Sequence, residues 1–266
     1  MILADDFGLS PGINAAVLEL VKLRSLDGFS CMVIPSSLDS LKSNWQIGEF
    51  ASNAKIGLHF TLTNHKLFHY SSKPIDFYKL LMAELCKIID QAGVKKELQL
   101  QLSYFREIFG RDPDFIDGHQ FVHQLPTVAT SICETLKMLT GENYFIRVYD
   151  QPTNLRLRNF IADPKSAGLA ESKMIFGRHA KLKFNKYEFK TNRFLFDVAA
   201  GSQSIRAKDF YEKLEYYRAD KDIIYFHPSA WPENLGVEHF TNRTSDYIFL
   251  KTTLHEWRRN RSEEAI

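Results

Sequence analysis

The chain has 266 residues, 44% of them hydrophobic and 25% charged, which are the proportions of a globular protein large enough for one α/β domain. A formal net charge of +2 gives no global electrostatic reason to expect a nucleic-acid partner. No stretch reaches the roughly 18 apolar residues of a membrane helix. Asp5 and Asp6 also interrupt the place where an apolar signal-peptide core would run, so the expectation is a cytoplasmic protein with no membrane partner.

In chain order, Ile2-Leu3-Ala4 reads as a short strand that runs into Asp5-Asp6. Ser10 as N-cap and Pro11 at the first helical position then open a helix with an apolar stripe of Ile13, Val17, Leu20 and Val21. A second strand is expected over 29–34, a weaker helix over 38–51, and a third strand over 55–62 with Gly57 inside it. The pattern over 77–109 predicts two helices broken near Gly93. Phe115-Ile116 is a short strand ending at Asp117, and the stretch from His119 to His123, ahead of Pro126, is expected to be a loop. A helix over 126–139 and a strand over 144–148 follow. Further along come a helix over 208–217, a strand over 223–226 ending at His227-Pro228, a closing helix over 245–258, and a frayed tail over 260–266.

This alternation predicts an α/β fold with a parallel sheet covered by helices. Six or seven strand candidates favour a (β/α) barrel, distorted or incomplete, in a single domain over 1–259. Cys31, Cys86 and Cys133 are scattered, odd in number and without CxxC spacing, so they read as reduced thiols. Residues 155–195 stand apart: ten Lys and Arg against three acids give +7, with six Phe and Tyr interleaved. A charge run of this kind is usually a solvated face, here a basic insertion packed by its aromatics or a homodimer contact; a lid or a surface for an anionic partner is the functional alternative.

The chemistry-bearing residues share a position. Asp5 and Asp6, His59, Asp117 and His119, Arg147 and His227 each stand at or just past the end of an expected strand. In a (β/α) barrel such ends converge on one face, where active sites form. Two adjacent carboxylates are costly to bury without a cation, and a divalent metal ion removes that cost. The structural alternative for the acids is capping of the following helix, and for a lone histidine it is a satisfied core residue. Arg147 either binds a carboxyl-like group or pairs with a nearby acid. The other histidines, 65, 69, 179, 239 and 255, lack this context and read as surface or structural residues.

The segments ADDFGLSPGIN, GLHFTLT and DGHQFVHQLP together resemble the YdjC-like family, also called chitooligosaccharide deacetylases, in wording and order over about residues 1–130. The resemblance implies a metal-dependent hydrolase that removes N-acetyl groups from amino sugars. It implies a divalent cation, Mg²⁺ or Zn²⁺, on Asp6, His59 and His123, with Asp5 as general base and His227 as general acid. Asp117, His119 and Arg147 would then contact the N-acetylated sugar. This chain departs from the family at Phe121, where many members carry another histidine, and in a first strand shorter than usual. Three other readings stay open from the residues alone. Two histidines and a carboxylate also make the facial triad of iron oxygenases. A degenerate site would bind sugar without turnover, and another metal-dependent amidase or phosphoesterase would need further ligands.

Overall fold

A computed structural model describes residues 1–43, 54–139, 144–162, 164–198, 202–218, 220–233 and 243–263. Eight strands make one sheet: β1 (Ile2–Phe7), β2 (Gly28–Cys31), β3 (Lys55–Phe60), β4 (Phe115–Gly118), β5 (Phe145–Ile146), β6 (Lys190–Thr191), β7 (Leu195–Phe196) and β8 (Ile223–Phe226). Their order is β6-β5-β4-β3-β2-β1-β8-β7, and every pairing is parallel. This is the cyclic order of a (β/α) barrel, cut between β6 and β7. The two cut edges are joined by only three residues, 192–194, so they lie within about 15 Å of each other. In that link, the Asn192 side chain bonds both backbone groups of Val148, just past β5. Leu195 N of β7 donates to Asp150 O at 2.8 Å across the seam.

The helices are α1 (Pro11–Lys22), α2 (Leu38–Ser43), α3 (Phe77–Leu85), α4 (Gln91–Phe109), α5 (Pro126–Leu139), α6 (Thr153–Ala162), α7 (Pro164–Lys186), α8 (Gln203–Leu214), α9 (Arg243–Phe249) and α10 (His255–Glu263), the last two joined through a π turn over Leu250–Leu254. Ser10 caps α1 through Ile13 N, with Pro11 in the first turn, as the sequence predicts. The break expected near Gly93 falls earlier. Cys86 closes α3, and Asp90 caps α4 through Gly93 N, so Gly93 lies in the first turn of α4. The tail is helical through Glu263, and 264–266 lie outside the described residues, as do 44–51 of the weak helix expected over 38–51.

The basic stretch is two helices followed by β6 and β7, two strands too short for any periodicity to reveal. Several of its cations tie α6 and α7 down. Arg178 and Lys181 reach Asp150, at 3.1 and 3.4 Å, and Arg156 pairs with Glu171. Lys181 also donates to Arg193 O at 2.8 Å.

The strands alternate with a period of two. Outward residues such as Ala4, Phe29, Leu58, Ile116, Ile224 and Phe226 join the core under the helices. Inward residues Leu3, Phe115, Leu195, Ile223 and Tyr225 form a separate cluster that fills the barrel. Gly57 belongs to this inward set: a Cβ there would stand 2.2 Å from the Phe115 ring. One strand step further along, the inward positions turn polar, with Asp5, Ser30, His59, Asp117 and Arg147 all buried. The apolar layer is thus the floor of the candidate site.

Candidate active site

Asp5 and Asp6 are adjacent, and a regular strand would point them to opposite faces. The β1–β2 register shifts between Ala4 and Phe7, and Asp6 lies inside that bulge in the left-handed region, φ 67°. A bulge re-aims side chains, and here both acids join one buried polar cluster. Leu9 N donates to Asp6 O at 3.1 Å and closes the turn into α1.

Arg147 grips Asp5 with two parallel bonds, 2.7 Å to Oδ1 and 2.6 Å to Oδ2, and stands 2.8 Å from Asp117 Oδ2. Burial alone would push Asp5 up, but the guanidinium outweighs it and holds the carboxyl below its ordinary range. Asp6 Oδ1 faces two histidine nitrogens, His59 Nε2 and His119 Nδ1, each at 3.2 Å. Asp6 Oδ2 accepts from Arg243 of α9. Burial opposes ionisation of Asp6, yet Arg243 and the two histidines hold its carboxyl well below the usual range.

His59 has carboxylates at both ends of its ring. Nδ1 lies 2.6 Å from Asp117 Oδ1 and 3.1 Å from the Ser30 hydroxyl, while Nε2 faces Asp6. Burial lowers the proton affinity of the imidazole, but Asp117, Asp6 and Asp5 overcome it and raise the pKa to about 10. The geometry calls for positive charge between His59 and Asp6, as a proton or as a metal ion. With Nδ1–H given to Asp117, the Nε2 lone pair is free for a cation, the carboxylate–histidine arrangement found behind metal ligands.

Asp6, His59 and His119 offer three ligand atoms within 4.8 Å of one another; Asp5, His59 and Asp117 form a second such group. Two nitrogens and one carboxylate oxygen are a donor set that suits zinc, with positions left for water or substrate. The second group fits a cation less well, because Arg147 already sits on both of its aspartates.

His123, expected beside Asp6 and His59, is not brought to them. His119 stands there instead. The chain leaves β4 in a 3₁₀ turn, His119–Gln124, in which Gln120 and Phe121 are left-handed, φ 54° and 60°. That turn sets His123 with its Nε2 2.6 Å from Arg147 O. Gly118 makes room: a Cβ there would meet His123 Nδ1 at 2.7 Å. Burial pushes the His123 pKa down to about 4, so the ring is neutral and donates Nε2–H to the carbonyl.

His227 is the accessible member of the site, its side chain 41% exposed, with Nε2 3.9 Å from Asp5 Oδ2. Its backbone N–H donates to Asp246 Oδ2 at 3.0 Å, which fixes the strand exit. Desolvation lowers its pKa, opposed by Asp6 and Asp5. His65 also stands at the rim, its ring 6.0 Å from that of His119. Phe121 packs edge-on to Tyr149 and Tyr225 in the barrel mouth.

The structure therefore gathers Asp5, Asp6, His59, Asp117, His119, Arg147 and His227, and sets His123 against the Arg147 carbonyl. Sequence reasoning missed Ser30, Arg243 and Asp246. Ser30 lies on a strand the alternation could place, whereas Arg243 and Asp246 open a helix whose polar residues carry no local signal.

A family model described as YdjC-like protein matches residues 1–264. A mouse protein named carbohydrate deacetylase is 32% identical over 150 residues, 52% of this chain and 46% of the mouse protein. A chitooligosaccharide deacetylase of Escherichia fergusonii is 31% identical over 136 residues, 47% of this chain and 50% of that protein. Each match thus spans about half the length of the curated relative. An Enterococcus faecalis V583 crystal structure, provisionally named a cellobiose-phosphate cleavage protein, superposes with a TM-score of 0.68 over 98% of this chain and 94% of that one. At 17% identity that likeness speaks for the fold alone. With the family model matching nearly the whole length, this chain belongs to the YdjC-like family.

Proposed function

We propose that the protein is a metal-dependent hydrolase that removes an N-acetyl group from an amino sugar. The observation that carries this reading is the meeting of Asp6, His59 and His119 around one point beside Asp5 and His227. The names of the related deacetylases supply the substrate class, a carbohydrate bearing an acetyl group. Asp6, His59 and His119 would hold the divalent cation, whose chemistry when bound is to polarise the acetamide carbonyl and activate water. Asp117 orients His59 and keeps its Nδ1 protonated, so that Nε2 is the ligand atom.

Asp5 and His227 handle the proton. Arg147 occupies both Asp5 oxygens, which keeps Asp5 anionic and makes it a weak base. His227 is exposed to substrate, and its lowered pKa leaves it neutral near pH 7. It takes the proton of the attacking water, and Asp5 steadies the imidazolium. As the C–N bond breaks, the same proton passes to the departing sugar nitrogen. The second proton of the water leaves the carboxyl group for the amine, and the products are acetate and the protonated amine. This moves the role of base from Asp5, where the resemblance puts it, to His227.

The test is acetate release from N,N′-diacetylchitobiose and a panel of N-acetylated sugars by the metal-stripped protein, with Zn²⁺ or Mg²⁺ added back. Asp6→Ala and His227→Ala should each fall by ~10²-fold or more. Asp6→Ala that keeps a tenth of wild-type turnover would sink the reading. Asp5→Asn separates the two assignments of the base: if His227 takes the proton, Asp5→Asn retains more activity than His227→Ala.

A further inference from the structure

Asp6 uses its two oxygens in different directions. Oδ1 faces His59 and His119, at 3.2 Å each. Oδ2 is bonded by the guanidinium of Arg243, a buried residue at the start of α9. One turn later, Asp246 accepts from His227 N at 3.0 Å and pairs with Arg206. Ser229 N, two residues past His227, donates to the Arg243 carbonyl at 3.1 Å. The first turn of α9 therefore holds Asp6 on one side of the site and the strand exit carrying His227 on the other. Positions three apart on a helix share a face, which makes this double grip geometrically natural.

We propose that Arg243 is a positioning residue of the metal centre, holding Asp6 to a single ligand oxygen by occupying the other. This rests on the reading of Asp6, His59 and His119 as the cation ligands. A carboxylate with both oxygens free can chelate a cation and fill a position that water or substrate needs. Arginine suits the task of preventing this, being planar, always charged and able to stay ionised when buried. A residue that only propped the fold would, on removal, loosen the ligands and weaken cation binding. The proposed role has the opposite signature. Loss of Arg243 removes a positive charge beside the cation and frees Asp6 Oδ2, so binding holds or tightens while the coordination changes.

The experiment is a Co²⁺ titration of metal-stripped wild type, Arg243→Gln and Arg243→Lys, reading affinity and the visible absorption of the bound ion, with circular dichroism to check folding. Arg243→Gln should bind Co²⁺ at least as tightly as wild type, with a weaker visible band from a higher coordination number. Arg243→Lys, which keeps a charged donor, should show the wild-type band. If the Gln variant does not fold, the Lys variant carries the test, and an altered band there overturns the proposal. So does a Gln variant with an unchanged band, or one bound ~10-fold more weakly, the cost expected when ligand support is simply lost. Wild type that binds no Co²⁺ defeats instead the metal-centre reading on which the proposal rests.

Discussion

At His59 one ring nitrogen meets Asp117 and the other meets Asp6, so the residue cannot be understood without positive charge between it and Asp6. His123 shows the reverse condition: a buried ring held neutral, with a pKa near 4 against an ordinary 6.5. The unfolded chain then binds more protons than the folded one between these values, so stability rises with pH across that window and is lost as pH falls from about 6.5 to about 4. The contribution is on the order of 3 kcal/mol at full depth. Urea midpoints of wild type and His123→Gln, measured at pH 4.5 and 6.5, should show a smaller pH dependence in the variant; equal slopes would contradict the placement of His123. Which residues bear chemistry was legible because five strand ends carry them. Which of two histidines four apart joins Asp6 was not, because that depends on two left-handed residues, Gln120 and Phe121, that no local pattern announces.

At the scale of elements, the loop after β3 depends on α4. Glu97, fully buried, accepts from the backbone N–H groups of Phe68, His69 and Tyr70, and from Gln101, whose side chain also clamps both backbone groups of Thr61. One carboxylate thus satisfies three backbone donors of the loop that brings His65 beside His119. Glu97→Ala should cost ~3 kcal/mol, since unsatisfied buried donors carry their full desolvation penalty. Faster hydrogen exchange at residues 68–70 would mark the loop as the part released, and unchanged exchange there would refute the clamp. Long elements such as α1, α4 and α5 were readable from caps and stripes. β6 and β7, two residues each, were not, because their pairing is imposed by the rest of the sheet.

Over the whole molecule, an apolar barrel floor carries a polar layer above it, and the helices supply the remaining grips: Arg243 on Asp6, Asp246 on His227, and α7 tied to Asp150 by Arg178 and Lys181. The parallel sheet was legible from the alternation, and the barrel from the number of strand candidates. The seam between β6 and β7, and the use of the basic helices to flank it, are tertiary facts outside the reach of composition. On the proposed reading, Asp6, His59 and His119 form a metal centre that does not include His123. Calorimetric titration of Zn²⁺ into metal-stripped wild type, His119→Ala and His123→Gln is the deciding experiment. One site is expected in wild type, with a loss of ~10²-fold or more in affinity for His119→Ala and near wild-type binding for His123→Gln. Tight binding by His119→Ala together with loss in His123→Gln would contradict it.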